Sequence, residues 1–171
     1  AIYAIHTNLD NVHNGVSAKI AEQLGLENCK VLAPKSDLLR QLVVYCPTSN
    51  VEELKSALYE VGAGTVGDYD QCSFSSVGKG TFRANENCTP FVGKIGEQHT
   101  ETEERIEVIY PKFKERAVLN AMNLAHPYEE VAHQIYVLEN KHQLLGSGIV
   151  GELNEAIAVE VFLKSLKTNM Q

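Results

Sequence analysis

Gln41-Leu42-Val43-Val44-Tyr45-Cys46-Pro47, followed by Ser49, Glu52 and the series Val51, Leu54, Leu58 and Val61, is the stretch whose reading decides the fold. The first run is β-branched and aromatic and has the length of a strand. Pro47, with no N–H to give to a ladder, predicts its end. Ser49 and Glu52 then stand at the spacing of a capping box. Val51, Leu54, Leu58 and Val61 recur at helical period up to Gly62, so a helix burying one stripe follows the strand directly.

Working toward the C-terminus, residues 69–92 are rich in Ser, Thr, Gly and aromatics, and Gly78-Lys79-Gly80 predicts a hairpin turn inside them. Residues 105–110 alternate strictly and predict a strand with one buried face, ended by Pro111. A helix over about 114–125 presents Val118, Ala121, Met122 and Ala125 to a core. Pro127 blocks it, because a proline disfavours helical geometry at His126 and offers no N–H. A last strand over 131–138 completes the order β, α, β-hairpin, β, α, β. The expected class is therefore α+β or α/β, with a split-βαβ or ferredoxin-like domain at its centre and room for an extra strand.

Outward in the other direction, residues 2–6 alternate and predict a short strand, and 7–15 form a polar loop. A helix over 16–24 carries Val16, Ile20 and Leu24 on one stripe and stops at Gly25, where a residue without a Cβ takes the left-handed conformation at little cost. Residues 34–40 read as a linker. At the far end Gly146, Gly148 and Gly151 mark a turn-rich crossing into a helix over 154–167, whose face of Val159, Phe162, Leu163 and Leu166 calls for a partner among residues 1–30 or elsewhere. Ala1 stands where an initiator Met would, inside an alternating segment, and the last amphipathic stretch ends without a partner. An interior piece of a longer protein is the expectation.

Composition bounds the function. The 171 residues are 44% hydrophobic and 22% charged, in the globular range, and the formal charge of −7 leaves no basic stripe for a phosphate backbone, so nucleic acid is not an expected partner. No apolar run approaches the roughly 20 residues that span a bilayer, and the first residues lack the basic, apolar, small-residue order of a signal peptide, so a soluble protein is the expectation. Cys29, Cys46, Cys72 and Cys88 form no Cys-x-x-Cys pair and read as reduced thiols in a soluble cytoplasmic protein.

Two clusters carry potential chemistry. His6-Thr7-Asn8-Leu9-Asp10 places an imidazole and a carboxylate, both suited to Zn, Mn or Fe, in a loop at the end of the expected first strand. The competing account is that Asn and Asp there cap a turn or the next helix. His126, Glu129, Glu130 and His133 offer four further ligand types, but Pro127 and an extended strand send alternate side chains to opposite faces, and a packing or inter-subunit role is the expectation. Residues 62–67, glycine-rich, follow a helix and lack a Lys-Ser/Thr, so they read as a flexible turn rather than a phosphate cradle. His13, His99 and His142 read as surface residues.

The His6-Thr7-Asn8-Leu9-Asp10 segment with Gly15-Val16 and Leu24-Gly25-Leu26 resembles the His-Thr-Asn-x-Asp segment and following helix of the NIF-three-like dinuclear-metal-centre family. His126-Pro127-Tyr128-Glu129-Glu130-Val131-Ala132 resembles the insert of its longer bacterial members, and Gly148-Ile149-Val150-Gly151-Glu152-Leu153 the start of its second core lobe. The resemblance implies residues 1–40 as the end of a first core lobe, 41–140 as a ferredoxin-like insert and 141–171 as the start of a second lobe. It further implies two divalent metal ions (Zn, Mn or Fe) in the intact protein. Asp10 is then a ligand, with His6 and Asn8 nearby as proton-transfer or orienting groups, and the adjacent histidine pair and late His/Glu pair of the family are not in this stretch. The implied activity is metal-assisted hydrolysis of a small molecule, under a type-two GTP cyclohydrolase-like label, in a homo-oligomer. One carboxylate does not hold two metals, so this chain alone is expected to be inactive. The alternative is a PII-like module that binds an effector or joins subunits without catalysis.

Overall fold

The computed structural model describes residues 2–170. Its elements in chain order are α1 (Val16–Gln23), β1 (Leu26–Pro34), β2 (Leu39–Pro47), α2 (Val51–Glu60), β3 (Phe74–Arg83), β4 (Gln98–Pro111), α3 (Glu115–Ala125), β5 (His133–Leu138), β6 (Gly146–Leu153) and α4 (Val159–Asn169). They gather into two compact units, one from the two ends of the chain, up to Ser36 and from Lys141, and the other spanning Asp37–Asn140. Every strand pairing is antiparallel.

In the Asp37–Asn140 unit, four strands run in the order β3-β4-β2-β5. Alternation sends Leu42, Val44 and Cys46 of β2 and Ile106, Val108 and Tyr110 of β4 to one face, where they meet Val51, Leu54 and Leu58 of α2 and Val118 and Met122 of α3. Each fully buried Leu or Val there contributes roughly 1.5–3 kcal/mol of apolar transfer free energy. The helices therefore cover one side of the sheet. The odd-numbered residues of β4, Glu101, Glu103 and Glu107 among them, look out on the other.

The α2 stripe is the expected one, and Gly62 closes it at φ +82°. The expected capping box does not form. A single 3-10 turn over Thr48–Asn50 precedes α2, which moves the cap to Asn50, and the Ser49 hydroxyl donates instead to Asn50 Oδ1 at 2.7 Å. The hairpin turn at Gly78-Lys79-Gly80 is also overturned: β3 runs straight through it, and the hairpin joins β3 to β4 around residues 84–97. Gly80 serves close approach rather than chain reversal, because a Cβ there would overlap the Glu103 carboxylate, whereas Gly78 lies in open space.

In the unit built from the chain ends, β1 and β6 form a two-stranded sheet, with an irregularity between Glu27 and Lys30 where Asn28 takes φ +51°. Both strands depart from expectation. Residues 35–38 separate β1 from β2, inside the expected linker of 34–40, whose remaining residues belong to the two strands. The glycines of the supposed turn-rich crossing lie within β6, where a side chain at Gly146 would meet the Ala33 carbonyl across the ladder. Residues 2–6 form no strand, since no neighbour among the described residues offers them a ladder. Gly25 does take φ +67° after α1, as its position predicts. The α1 stripe buries little: Ala21 is its buried residue, whereas Val16 and Ile20 stay exposed. In α4 no residue is buried, and Asn169 Nδ2 donates to the Gln23 carbonyl at 3.2 Å.

Candidate functional site

Asp10 sits in a one-turn 3-10 helix, Leu9–Asn11, on the unit made from the chain ends. The turn is held by its neighbours. Asn11 Nδ2 donates to the Thr7 carbonyl at 2.7 Å, Val12 bridges to Leu145, and Ser147 Oγ donates to Asn11 Oδ1 at 3.1 Å. His6, Asn8 and Asp10 are all exposed, and the Asn8 side chain makes no cap hydrogen bond. Among the described residues no group of three or more His, Cys, Asp or Glu side chains converges. The residues of this chain therefore do not by themselves fit a two-metal centre, which needs several oriented ligands.

The second cluster is taken apart by individual partners. His126 is buried where α3 ends. Its Nε2 donates to the Tyr45 carbonyl at 2.8 Å while its Nδ1 accepts the Tyr128 N–H at 3.1 Å, so both ring nitrogens are used by a neutral imidazole. Burial holds its pKa below the usual histidine range, against the opposing influence of the Tyr45 carbonyl and Glu103. Glu129 accepts the Thr89 N–H at 2.9 Å, and His133 Nδ1 lies 2.9 Å from the Val131 carbonyl. His126 is thus a fastener between the end of α3 and β2.

The remaining motifs are equally local. Gly62, Gly64 and Gly67 all have positive φ, and Gly64 donates its N–H to the Ile109 carbonyl at 2.7 Å, which ties the turn to β4. His99 pairs with Glu101 at 2.9 Å, and this hydrogen bond is the main reason the Glu101 carboxyl lies below its usual range. His13 departs from the surface reading, because its Nδ1 is buried without a partner among the described residues. Burial also lowers the pKa of His142, whose Nδ1 accepts the Leu144 N–H at 3.2 Å.

A cleft of about 580 Å³ opens in the Asp37–Asn140 unit, and its residues escaped the sequence reading. Its floor is the β3–β4 ladder, with Gly78 opposite Glu103, Gly80 opposite Glu101 and Phe82 opposite His99. Loop residue Phe91 and post-helix residue Tyr128 complete an aromatic wall: the Tyr128 ring lies 5.9 Å from Phe82 and 6.2 Å from Phe91. Glu103 is buried there, 8% exposed, and enters no salt bridge among the described residues, while neighbouring Arg105 is engaged with Glu107 at 3.2 Å. The Tyr128 hydroxyl is buried beside the Glu103 carboxylate. Burial first, and then the nearby Glu103 carboxylate, raise its pKa. The sequence signal that could have flagged this site is Gly78-x-Gly80-x-Phe82, a strand whose missing side chains make room on one face.

The sequence model of Duf34/NIF3 (NGG1p interacting factor 3) matches residues 1–171. A Bacillus subtilis (strain 168) protein named GTP cyclohydrolase 1 type 2 homolog is 42% identical over 171 residues, and the match covers 99% of this chain and 46% of that protein. A protein of the same name from Mycobacterium tuberculosis is 36% identical, covering 98% and 45%. The crystal structure of a Bacillus cereus protein related to NIF3 superposes with a TM-score of 0.85 at 42% identity, covering 99% of this chain and 44% of that one. The Staphylococcus aureus protein SA1388, 24% identical with a TM-score of 0.58, shares the fold. The chain spans a little under half the length of the curated relatives it matches. By the match along its whole length and by these relatives, the chain belongs to the Duf34/NIF3 (NGG1p interacting factor 3) family.

Proposed function

We propose that this chain serves a divalent-metal-binding, hydrolase-like protein acting on a small molecule, in which Asp10 lends one carboxylate to a centre whose other ligands this stretch does not supply. The observation that supports the reading is the placement of Asp10. It is solvent-exposed and outside any salt bridge among the described residues, on a turn whose backbone Asn11, Val12 and Ser147 hold in place. A ligand carboxylate needs this combination of a free head and a fixed base. His6 and Asn8 are proposed as near-metal groups on the same exposed segment. The relatives' name, GTP cyclohydrolase 1 type 2 homolog, makes a nucleotide or cyclic amide a substrate class worth testing.

Within the same proposal the Asp37–Asn140 unit is a ferredoxin-like insert with a regulatory or assembly role. Its β-α-β-β-α-β order and the strand order β3-β4-β2-β5 support that reading. The intact protein is proposed to be a cytoplasmic homo-oligomer, and no helix among the described residues is long and apolar enough to cross a membrane.

Elemental analysis after loading with Mn, Fe and Zn, on the parent and on Asp10→Ala, tests the metal reading. Metal held by the parent and lost from the variant is the expected result in a protein that carries the remaining ligands. Equal metal in both would remove Asp10 from the site.

A second reading, that the insert is a PII-like module that binds a small molecule without metal or catalysis, is favoured by the cleft beside β3 and β4. A ligand that binds metal-free protein would support it.

A further inference from the structure

Taking up that second reading of the insert, we propose that the cleft over β3 and β4 is a binding site for a small organic cation of the amidinium, guanidinium or alkylammonium class, held by the Glu103 carboxylate and the aromatic wall of Phe82, Phe91 and Tyr128.

A carboxylate taken out of water is costly unless a cation or hydrogen-bond donors meet it. Glu103 is buried and has the Tyr128 hydroxyl beside it, yet no Lys, Arg or His among the described residues pairs with it. The nearest candidate on its own strand, Arg105, is occupied by Glu107 at 3.2 Å. Lys79 and Arg83 of β3 also line the cleft, but neither forms a salt bridge with Glu103 among the described residues. The acid therefore faces the cleft with no cation of the described residues paired to it.

The shape of that space points the same way. Gly80 is compatible with the Glu103 position because it has no side chain, and Gly78 lies open directly across the ladder. Three aromatic rings stand around the cleft, at separations of 5.9 and 6.2 Å from the Tyr128 ring. Ring faces attract cations within about 6 Å, and more strongly once water is excluded. The buried Tyr128 hydroxyl, beside the Glu103 carboxylate, adds a polar contact. At about 580 Å³ the cleft falls in the size range of metabolite pockets. An apolar wall alone would take any flat molecule. The buried acid beside it selects one that carries positive N–H groups.

Benzamidine, a planar cation, and benzamide, its neutral counterpart, separate these contributions. Calorimetric titration of the full chain gives affinity, and amide NMR shifts report location. Benzamidine is expected to bind at least about tenfold more tightly than benzamide, since charge-assisted hydrogen bonds contribute roughly 1.5–3 kcal/mol. Its shifts should centre on Gly78, Gly80, Glu103 and Tyr128. Glu103→Gln should abolish the difference between the two probes. Phe91→Ala, which alters an exposed side chain, should weaken both and serves if the Glu103 variant does not fold. Equal affinity for the two probes overturns the cation assignment but leaves small-molecule binding by the insert standing. No shift in the cleft with either probe overturns both. Cleft signals that change with protein concentration alone would show that a second copy of the chain occupies the space, which also overturns the assignment.

Discussion

Replacing His126 by Leu tests the fastener at the end of α3 quantitatively. The substitution keeps roughly the same volume and removes two hydrogen bonds, Nε2 to the Tyr45 carbonyl at 2.8 Å and the Tyr128 N–H to Nδ1 at 3.1 Å. Each backbone group left without a partner costs about 1–3 kcal/mol, so a loss of about 2–4 kcal/mol at pH 7.5 is expected, allowing for some relaxation toward solvent. The pH dependence is the sharper signature. Burial lowers the folded-state pKa of His126 from its ordinary value of 6.5, so this residue's contribution is complete above pH 6.5 and declines as the pH falls, because the unfolded chain takes up the proton first. Between pH 7.5 and 5.5 an imidazole that stays neutral in the folded state costs the parent up to about 1.4 kcal/mol that the Leu variant does not lose. Urea unfolding of parent and variant at both pH values should therefore show the gap between them narrowing at pH 5.5. A gap that is constant or wider at the lower pH would refute the buried, neutral histidine.

Leu58→Ala should destabilise the Asp37–Asn140 unit by about 2–5 kcal/mol in denaturant titration, because Leu58 is fully buried between α2 and the sheet. Gly64→Ala and Gly96→Ala share a positive φ, but only at Gly64 would the new Cβ lie 2.8 Å from the Cys72 carbonyl; thermal unfolding should show a clearly larger loss at Gly64, and equal losses would discount the contact. Cys46, whose thiol burial and then the acids Glu103, Glu104 and Glu53 push up to about 12, should resist iodoacetamide at pH 8 in the folded protein and react once urea unfolds it; mass spectrometry reads the site. Asp10→Ala should leave stability within about 0.5 kcal/mol of the parent, as expected for an exposed surface change, so that any loss of metal is not a loss of fold.

The order of elements over residues 39–138 was legible because β2, α2, β4 and α3 each carry a strong local period, and the residues that set those periods are the ones the core buries: Leu42, Val44, Leu54, Leu58, Ile106, Val108, Val118 and Met122. Pro47, Pro111 and Pro127 marked their limits for a reason internal to the chain, the missing N–H. Family membership was also readable, from the His6 to Asp10 segment and its spacing to Gly25. Glycine was misread wherever its cause lay in another strand. Gly80 and Gly146 look like turn residues along the sequence, yet they are strand positions whose bareness admits the Glu103 carboxylate in one case and the β1 backbone in the other. Likewise Ile2–His6 alternates like a strand, but alternation alone supplies no hydrogen-bond partner. The cleft was invisible for the same reason: Phe82, Phe91, Glu103 and Tyr128 come from four separate segments, and only the registry of β3 on β4 and the His126 anchor bring them together. Local periods and chain-stopping prolines are properties of neighbours in sequence, so the sequence by itself determined β2, α2, β4 and α3 and their order. Burial of an acid, proximity of rings and the need for a bare Cα depend on residues distant in sequence, and only the tertiary structure decided those.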